Sequence, residues 1–213
     1  TAFDTTLIAL VMSLLVMLDL LRTGAYEKPF RALLDATFQT VSITTTTGFG
    51  TNDYDLWPLF SRAIIFLLLF SGGCAGSTAG GLKVMRSLVL VKEVFRQVKL
   101  YMQPQAVLKV RLDRQSVPAN IVSGITAFAL GYLLLFILFT LIMCVYLPDL
   151  SSAASAAISC LSNVGPGFAE LGPTRNYAGI ADSGKLILAF CMLLGRLELF
   201  TILVMFSPGF WKR

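Results

Sequence analysis

Two short stretches constrain this chain more than anything else in it. Ser42-Ile43-Thr44-Thr45-Thr46-Thr47-Gly48-Phe49-Gly50 is polar, uncharged and punctuated by glycine, and it lies between apolar segments. Ser159-Cys160-Leu161-Ser162-Asn163-Val164-Gly165-Pro166-Gly167 repeats its layout. In register, Ser42 meets Ser159, Thr45 meets Ser162, Gly48 meets Gly165 and Gly50 meets Gly167; upstream, Ala36 meets Ala153 and Val41 meets Ile158. An internal repeat governs the reading of everything around it. Each copy follows a short helix-compatible run and precedes a longer apolar one.

The physical reading of such loops is an ion filter. Backbone carbonyls turned toward an axis replace the hydration shell of a potassium ion, as four Thr-Val-Gly-Tyr-Gly loops do in potassium channels. Thr46-Thr47-Gly48-Phe49-Gly50 has that form, and Asn163-Val164-Gly165-Pro166-Gly167 keeps its glycines. Glycine suits the role because positive φ lets successive carbonyls point the same way. The candidate ion-binding residues are Thr45, Thr46, Thr47, Gly48 and Phe49 in one loop and Ser162, Asn163, Val164, Gly165 and Pro166 in the other. The competing reading is two ordinary surface turns, since turns are rich in Gly. Repetition in register between membrane segments favours the filter.

Composition supports a membrane setting. Charged residues make up 14% of the chain and hydrophobic ones 56%, against about 25% charged in soluble domains. The fold class expected is therefore an all-α integral membrane protein of helix–pore loop–helix repeats with re-entrant filters, potassium-channel-like. The absence of His removes the commonest general base and metal ligand. No enzyme chemistry and no cofactor are expected. The cysteines Cys74, Cys144, Cys160 and Cys191 read as small buried hydrophobes rather than disulfides or metal ligands. A P-loop ATPase is disfavoured, because Gly81 is followed by Leu82-Lys83 and the Gly-x4-Gly-Lys-Ser/Thr pattern is missing.

Along the chain, residues 1–101 form one pore repeat. It has a spanning helix over 3–22, a pore helix over 33–44 too short to cross, a filter at 45–50 and a broken helix over 59–101. The break is the glycine stretch 72–81, read as an unwound segment inside the membrane; interrupted helices of this kind point to ion pathways. Residues 102–118 are a basic connector. With Lys83, Arg86, Lys92, Arg96 and Lys99 before it and Lys109, Arg111 and Arg114 within it, the positive-inside rule places it in the cytoplasm; nucleic acid is a poor third choice of partner for a membrane protein. Residues 119–213 form the second repeat: spanning helix 121–147, pore helix 151–162 with Ser151 and Ser152 as plausible N-caps, filter 163–168 and helix 184–206, closed by Trp211-Lys212-Arg213 as an interfacial anchor. Both filters then face outside. Asp53, Asp55, Asp149, Glu170 and Asp182, beside Arg175 and Lys185, make a mildly acidic outer mouth that favours cations.

Arg196 and Glu198 lie inside the last helix. An ionisable residue at that depth costs at least about 2.5 kcal/mol and must face protein or water. Two apart, they do not share a helix face. Arg196 either bonds carbonyls of the 72–81 loop or pairs with an acid of a neighbouring helix.

Thr44 to Gly50, Gly72 to Lys83, Asn163 to Gly167 and Gly195-Arg196-Leu197-Glu198, in that order, resemble the TrkH/KtrB superfamily of microbial potassium transporters. The long connector and Phe206-Ser207-Pro208-Gly209-Phe210-Trp211 look closer to its TrkH branch. The resemblance covers nearly the whole chain. It implies one pore built from four such repeats in one polypeptide, of which this chain supplies the third and fourth. The chain begins at Thr1 rather than Met and reads as a processed product or a piece of a longer protein. The resemblance implies potassium contacts at Thr46, Thr47, Gly48, Asn163, Val164 and Gly165, and a gating loop at Gly72, Gly73, Gly76, Gly80 and Gly81 touched by Arg196. It further implies potassium uptake in a bacterial or archaeal cytoplasmic membrane, contact with membrane lipid, a homodimer and a TrkA-type cytoplasmic nucleotide-binding regulator. Whether transport is channel-like or coupled to protons or sodium stays open. The alternatives are a two-pore-loop cation channel working as a dimer, and a non-conducting membrane assembly subunit.

Overall fold

A computed structural model describes residues 2–73, 77, 79–106, 108–112 and 115–197. Gly76, Cys74, Glu198 and the closing Trp211-Lys212-Arg213 lie outside them. Helix α1, Ala2–Arg22, is long and apolar enough to cross a membrane. Asp4 in its first turn and Arg22 in its last suit the helix dipole. It stops where Gly24 takes φ +69°, with Ala25 N–H donating to Leu20 O and Gly24 N–H to Leu21 O, the paired closure that a left-handed residue allows.

Helix α2, Pro29–Thr44, begins four residues earlier than the sequence reading placed its pore helix, because Pro29 sits at the first helical position, where its missing N–H costs nothing. Helix α3, Leu59–Phe70, is short and apolar. Asp19 of α1 reaches its first turn and accepts from Ser61 N–H at 3.1 Å and Ser61 Oγ at 2.6 Å. A two-residue parallel pair follows, β1 (Ser71–Gly72) with β2 (Leu82–Lys83). The helix resumes as α4, Val84–Met102. The break expected at 72–81 is thus a loop closed at its neck, not a plain unwound stretch.

The basic connector carries a small antiparallel hairpin, β3 (Arg111–Leu112) with β4 (Gln115–Ser116). Helix α5, Ala119–Met143, is the second helix able to cross a membrane; it ends before the expected 147, and residues 144–146 turn. Helix α6, Leu150–Ser162, is the second pore helix, and α7, Asp182–Arg196, the last described one. The expected continuation of α7 to 206 lies beyond the described residues.

The core gathers around α6. Ala153, Ala156, Ala157, Ile158 and Leu161 are buried against α3, α5 and α7. Small side chains on the face of α6 let its neighbours approach closely, as helix contacts in lipid require. Cys160 and Cys191 are buried, but Cys144 is exposed, against the expectation for all four cysteines.

Candidate functional site

The two pore helices end in the same backbone motif. In α2, Thr46 takes φ +56°, Thr46 N–H donates to Ile43 O at 3.0 Å and Thr47 N–H to Ser42 O at 2.8 Å. In α6, Asn163 takes φ +57°, Asn163 N–H donates to Cys160 O at 3.1 Å and Val164 N–H to Ser159 O at 3.0 Å. This is the left-handed helix closure, at matching positions of the repeat. A further left-handed residue follows in each, Gly48 at +80° and Gly165 at +112°. With their N–H groups turned back to the helix end, the loops send carbonyls the other way. Among the described residues, none donates to the carbonyl oxygens of Thr46, Thr47, Gly48, Asn163 or Val164.

The loops meet. A methyl built on Gly48 would overlap the carbonyl oxygen of Val164 and come within 3.3 Å of Pro166 Cδ. Gly165 faces open space instead, with nothing within 4 Å of such a methyl. Phe49 projects outward, while its carbonyl accepts from Ser42 Oγ at 2.6 Å. Ser159, the partner of Ser42 in the repeat, accepts from Gly165 N–H at 3.0 Å. The Gly165 carbonyl accepts from Tyr177 Oη at 2.6 Å, which leaves one of its two lone pairs. Thr45 Oγ1 bonds Val41 O at 2.7 Å and Thr47 Oγ1 at 2.8 Å. The hydroxyl of Ser162 is not offered to an ion: it is buried between the Leu69 carbonyl and Tyr132 Oη.

Outside the filters the two repeats are stitched together. Tyr54 Oη donates to Gly167 O at 2.7 Å, and Asp55 Oδ2 accepts from Ala169 N–H at 3.0 Å. Asp55 also pairs with Arg62 at 2.8 Å. Asp53 accepts from Thr174 Oγ1, Glu170 pairs with Arg175 and Asp182 with Lys185. The acids expected to give the mouth a negative field are therefore largely committed to loop structure. Neither Ser151 nor Ser152 caps α6: Asp149 takes the N-cap position, and the Ser152 hydroxyl accepts from Glu170 N–H at 3.3 Å, as the Ser155 hydroxyl does from Phe168 N–H at 3.0 Å. Behind the first loop, buried Asp35 accepts from Tyr26 Oη at 2.9 Å and Thr51 Oγ1 at 3.0 Å.

The glycine loop sits directly under the second filter. Gly72, Gly73, Gly80 and Gly81 are buried. A methyl on Gly80 would overlap the Ser162 carbonyl, and one on Gly72 the Gly80 carbonyl. One on Gly73 would press on Ser77 and Ala79. Gly81 has φ +75°. On the far side, a cavity of about 190 Å³ is lined by Ser77, Ala79, Gly81, Lys83, Arg86 and Arg196. Gly195 of α7 lies against the Leu161 carbonyl, and Asn163 Nδ2 donates to Met192 O at 3.1 Å.

Sequence reasoning missed the residues that hold the loops rather than line them: Ser42, Ser159, Tyr54, Tyr132, Tyr177 and Asp35. The equivalence of Ser42 with Ser159 was visible in the repeat; the tyrosines carry no local pattern.

Comparison with known proteins agrees with this geometry. The TrkH model, described as a cation transport protein, matches residues 2–213. The Trk system potassium uptake protein TrkH of Vibrio parahaemolyticus is 38% identical over 205 residues, 96% of this chain and 42% of that protein. The Trk system potassium uptake protein TrkI of Halomonas elongata is 34% identical, over 97% of this chain and 42% of its own length. The crystal structure of the potassium transporter TrkH from Vibrio parahaemolyticus superposes with a TM-score of 0.90 at 37% identity, covering 99% of this chain and 45% of that one. The chain thus spans less than half the length of the relatives it matches. With paired pore-loop repeats, this helical membrane chain belongs to the TrkH family of cation transport proteins.

Proposed function

We propose that the chain forms one half of a potassium uptake pathway, with the rest of a longer polypeptide supplying two further quarters of the wall. The observation that carries this reading is the nesting of two equivalent loops, Gly48 against the Val164 carbonyl. Each loop holds its N–H groups inward and keeps a run of carbonyls clear of protein donors. Such carbonyls stand in for water around a monovalent cation. That the relatives are named potassium uptake proteins supports potassium as that cation.

The filter contacts are Thr46, Thr47, Gly48, Asn163 and Val164, with Gly165 contributing its remaining lone pair. Neutral carbonyls bind the ion weakly enough for it to leave. The glycine loop, whose Gly80 packs under Ser162 and Asn163, obstructs the inner exit, and Arg196 at its cavity steadies it through carbonyls. The process forms no covalent bond. The setting is the cytoplasmic membrane, with a homodimer and a TrkA-type nucleotide-binding regulator on the basic side.

The test is ion flux through the full-length protein in vesicles. Gly48→Ala is expected to collapse the potassium-to-sodium permeability ratio. An unchanged ratio in a folded, conducting variant overturns the filter assignment.

A further inference from the structure

On its basic side the chain carries a second cleft, which shares no lining residue with either filter. It lies between α4 and the β3–β4 hairpin and holds about 230 Å³. Five cations line it: Lys92, Arg96, Lys99, Lys109 and Arg111. The cleft is built, not accidental. Lys92 Nζ donates to the Arg111 carbonyl at 2.9 Å and fastens the hairpin to the helix. Val110 packs with Val89 and Val122 beneath it. Arg96 is committed to Glu93, with two bonds of 2.7 Å, and this pairing holds the Glu93 carboxyl below its usual range. The charged ends of Lys99, Lys109 and Arg111 have no ion pair or hydrogen bond among the described residues.

Beside the cations runs an apolar stripe. Val91, Val94, Val98 and Met102 recur at three- and four-residue steps along α4 and are exposed. Phe95 joins the stripe to the cleft. A helix with an apolar face bordered by Lys and Arg lies in a membrane interface, and basic pockets beside spanning helices take anionic headgroups. Helix α5, long and apolar enough to cross a membrane, starts at Ala119 and packs on α4.

We propose that this cleft binds the phosphate of an anionic membrane phospholipid, whose acyl chains lie along the apolar stripe of α4. The contiguity of cations and stripe is what selects a lipid over a soluble phosphate. Binding there ties α4, and through β2 the glycine loop, to the surface charge of the leaflet.

The experiment uses the full-length transporter in detergent, titrated separately with phosphatidylglycerol, phosphatidylcholine and inorganic phosphate, with thermal unfolding as readout. The variant is Lys99→Gln/Lys109→Gln/Arg111→Gln, which leaves Lys92 in place to hold the hairpin. Phosphatidylglycerol is expected to raise the melting temperature of the parent, and the variant is expected to need on the order of 100-fold more lipid for the same shift, from about fivefold per cation. The charge-keeping variant Lys99→Arg/Lys109→Arg/Arg111→Lys retains the response. Equal responses in parent and Gln variant overturn the proposal. So does an equal response to phosphatidylcholine or inorganic phosphate. Loss of a protein partner's binding in the Gln variant, with the lipid response intact, overturns it in favour of a protein interface. Ion selectivity does not enter the readout, so failure here is separable from failure of the filter reading.

Discussion

Thr46 is a β-branched residue held at φ +56°, a conformation costing about 1–2 kcal/mol. Asn163, at the matching position, bears the same φ more easily, since Asn tolerates it. Thr46→Asn is therefore expected to raise the melting temperature of the full-length protein; an unchanged or lower value contradicts the strain. The glycines separate by surroundings. Gly48→Ala meets both an unfavourable φ and the Val164 carbonyl, whereas Gly165→Ala meets the φ alone. Flux measurements should show the larger loss of selectivity for Gly48→Ala. Tyr177→Phe, which frees the Gly165 carbonyl, is expected to cost about 1 kcal/mol in thermal unfolding. At this scale the sequence announced Gly48 and Gly165, because the positive φ of glycine is a familiar requirement. It named Thr46 as a filter residue but not its left-handed turn, because a residue forced left-handed by its helix end has no compositional mark.

The pore helices and their loops act as units joined by few, buried contacts. Ser162 fastens α6 to the end of α3 and to Tyr132 of α5. Ser162→Ala strands a buried Tyr132 hydroxyl and is expected to destabilise the fold by about 1–3 kcal/mol, read as a lower melting temperature. Gly80→Ala would drive the glycine loop off the Ser162 carbonyl; the expected result is raised basal flux with the fold intact. The elements themselves were legible in order and type, since apolar length and glycine punctuation follow from what a bilayer tolerates. Their ends were less so. The pore helix expected at 33–44 starts at Pro29. Ser151 and Ser152 were taken as caps, but Asp149 holds that position and Ser152 instead bonds the loop beyond the filter. The strand pair at the neck of the glycine loop has two residues on each side, too few for any alternation to register.

For the whole molecule, the two pore helices differ in surroundings. Helix α6 is buried without a break from Ser155 to Ser162, whereas α2 exposes Phe30, Leu34, Phe38 and Val41. A pore wall with one enclosed and one bare quarter is incomplete. This chain alone, in vesicles, is expected to give no potassium-selective flux, and co-expression with the remainder of the polypeptide to restore it. Selective flux from the isolated chain would favour a closed ring of copies instead. Ser71–Gly72 and Leu82–Lys83 pair into a collar at the base of the glycine loop. A gate hinged on that collar, as proposed, would swing clear while the helices around it stay in place. Under the proposed gating role, clearing the passage asks for the opening of one short segment, on the microsecond-to-second scale of lids, and not for the parting of whole helices.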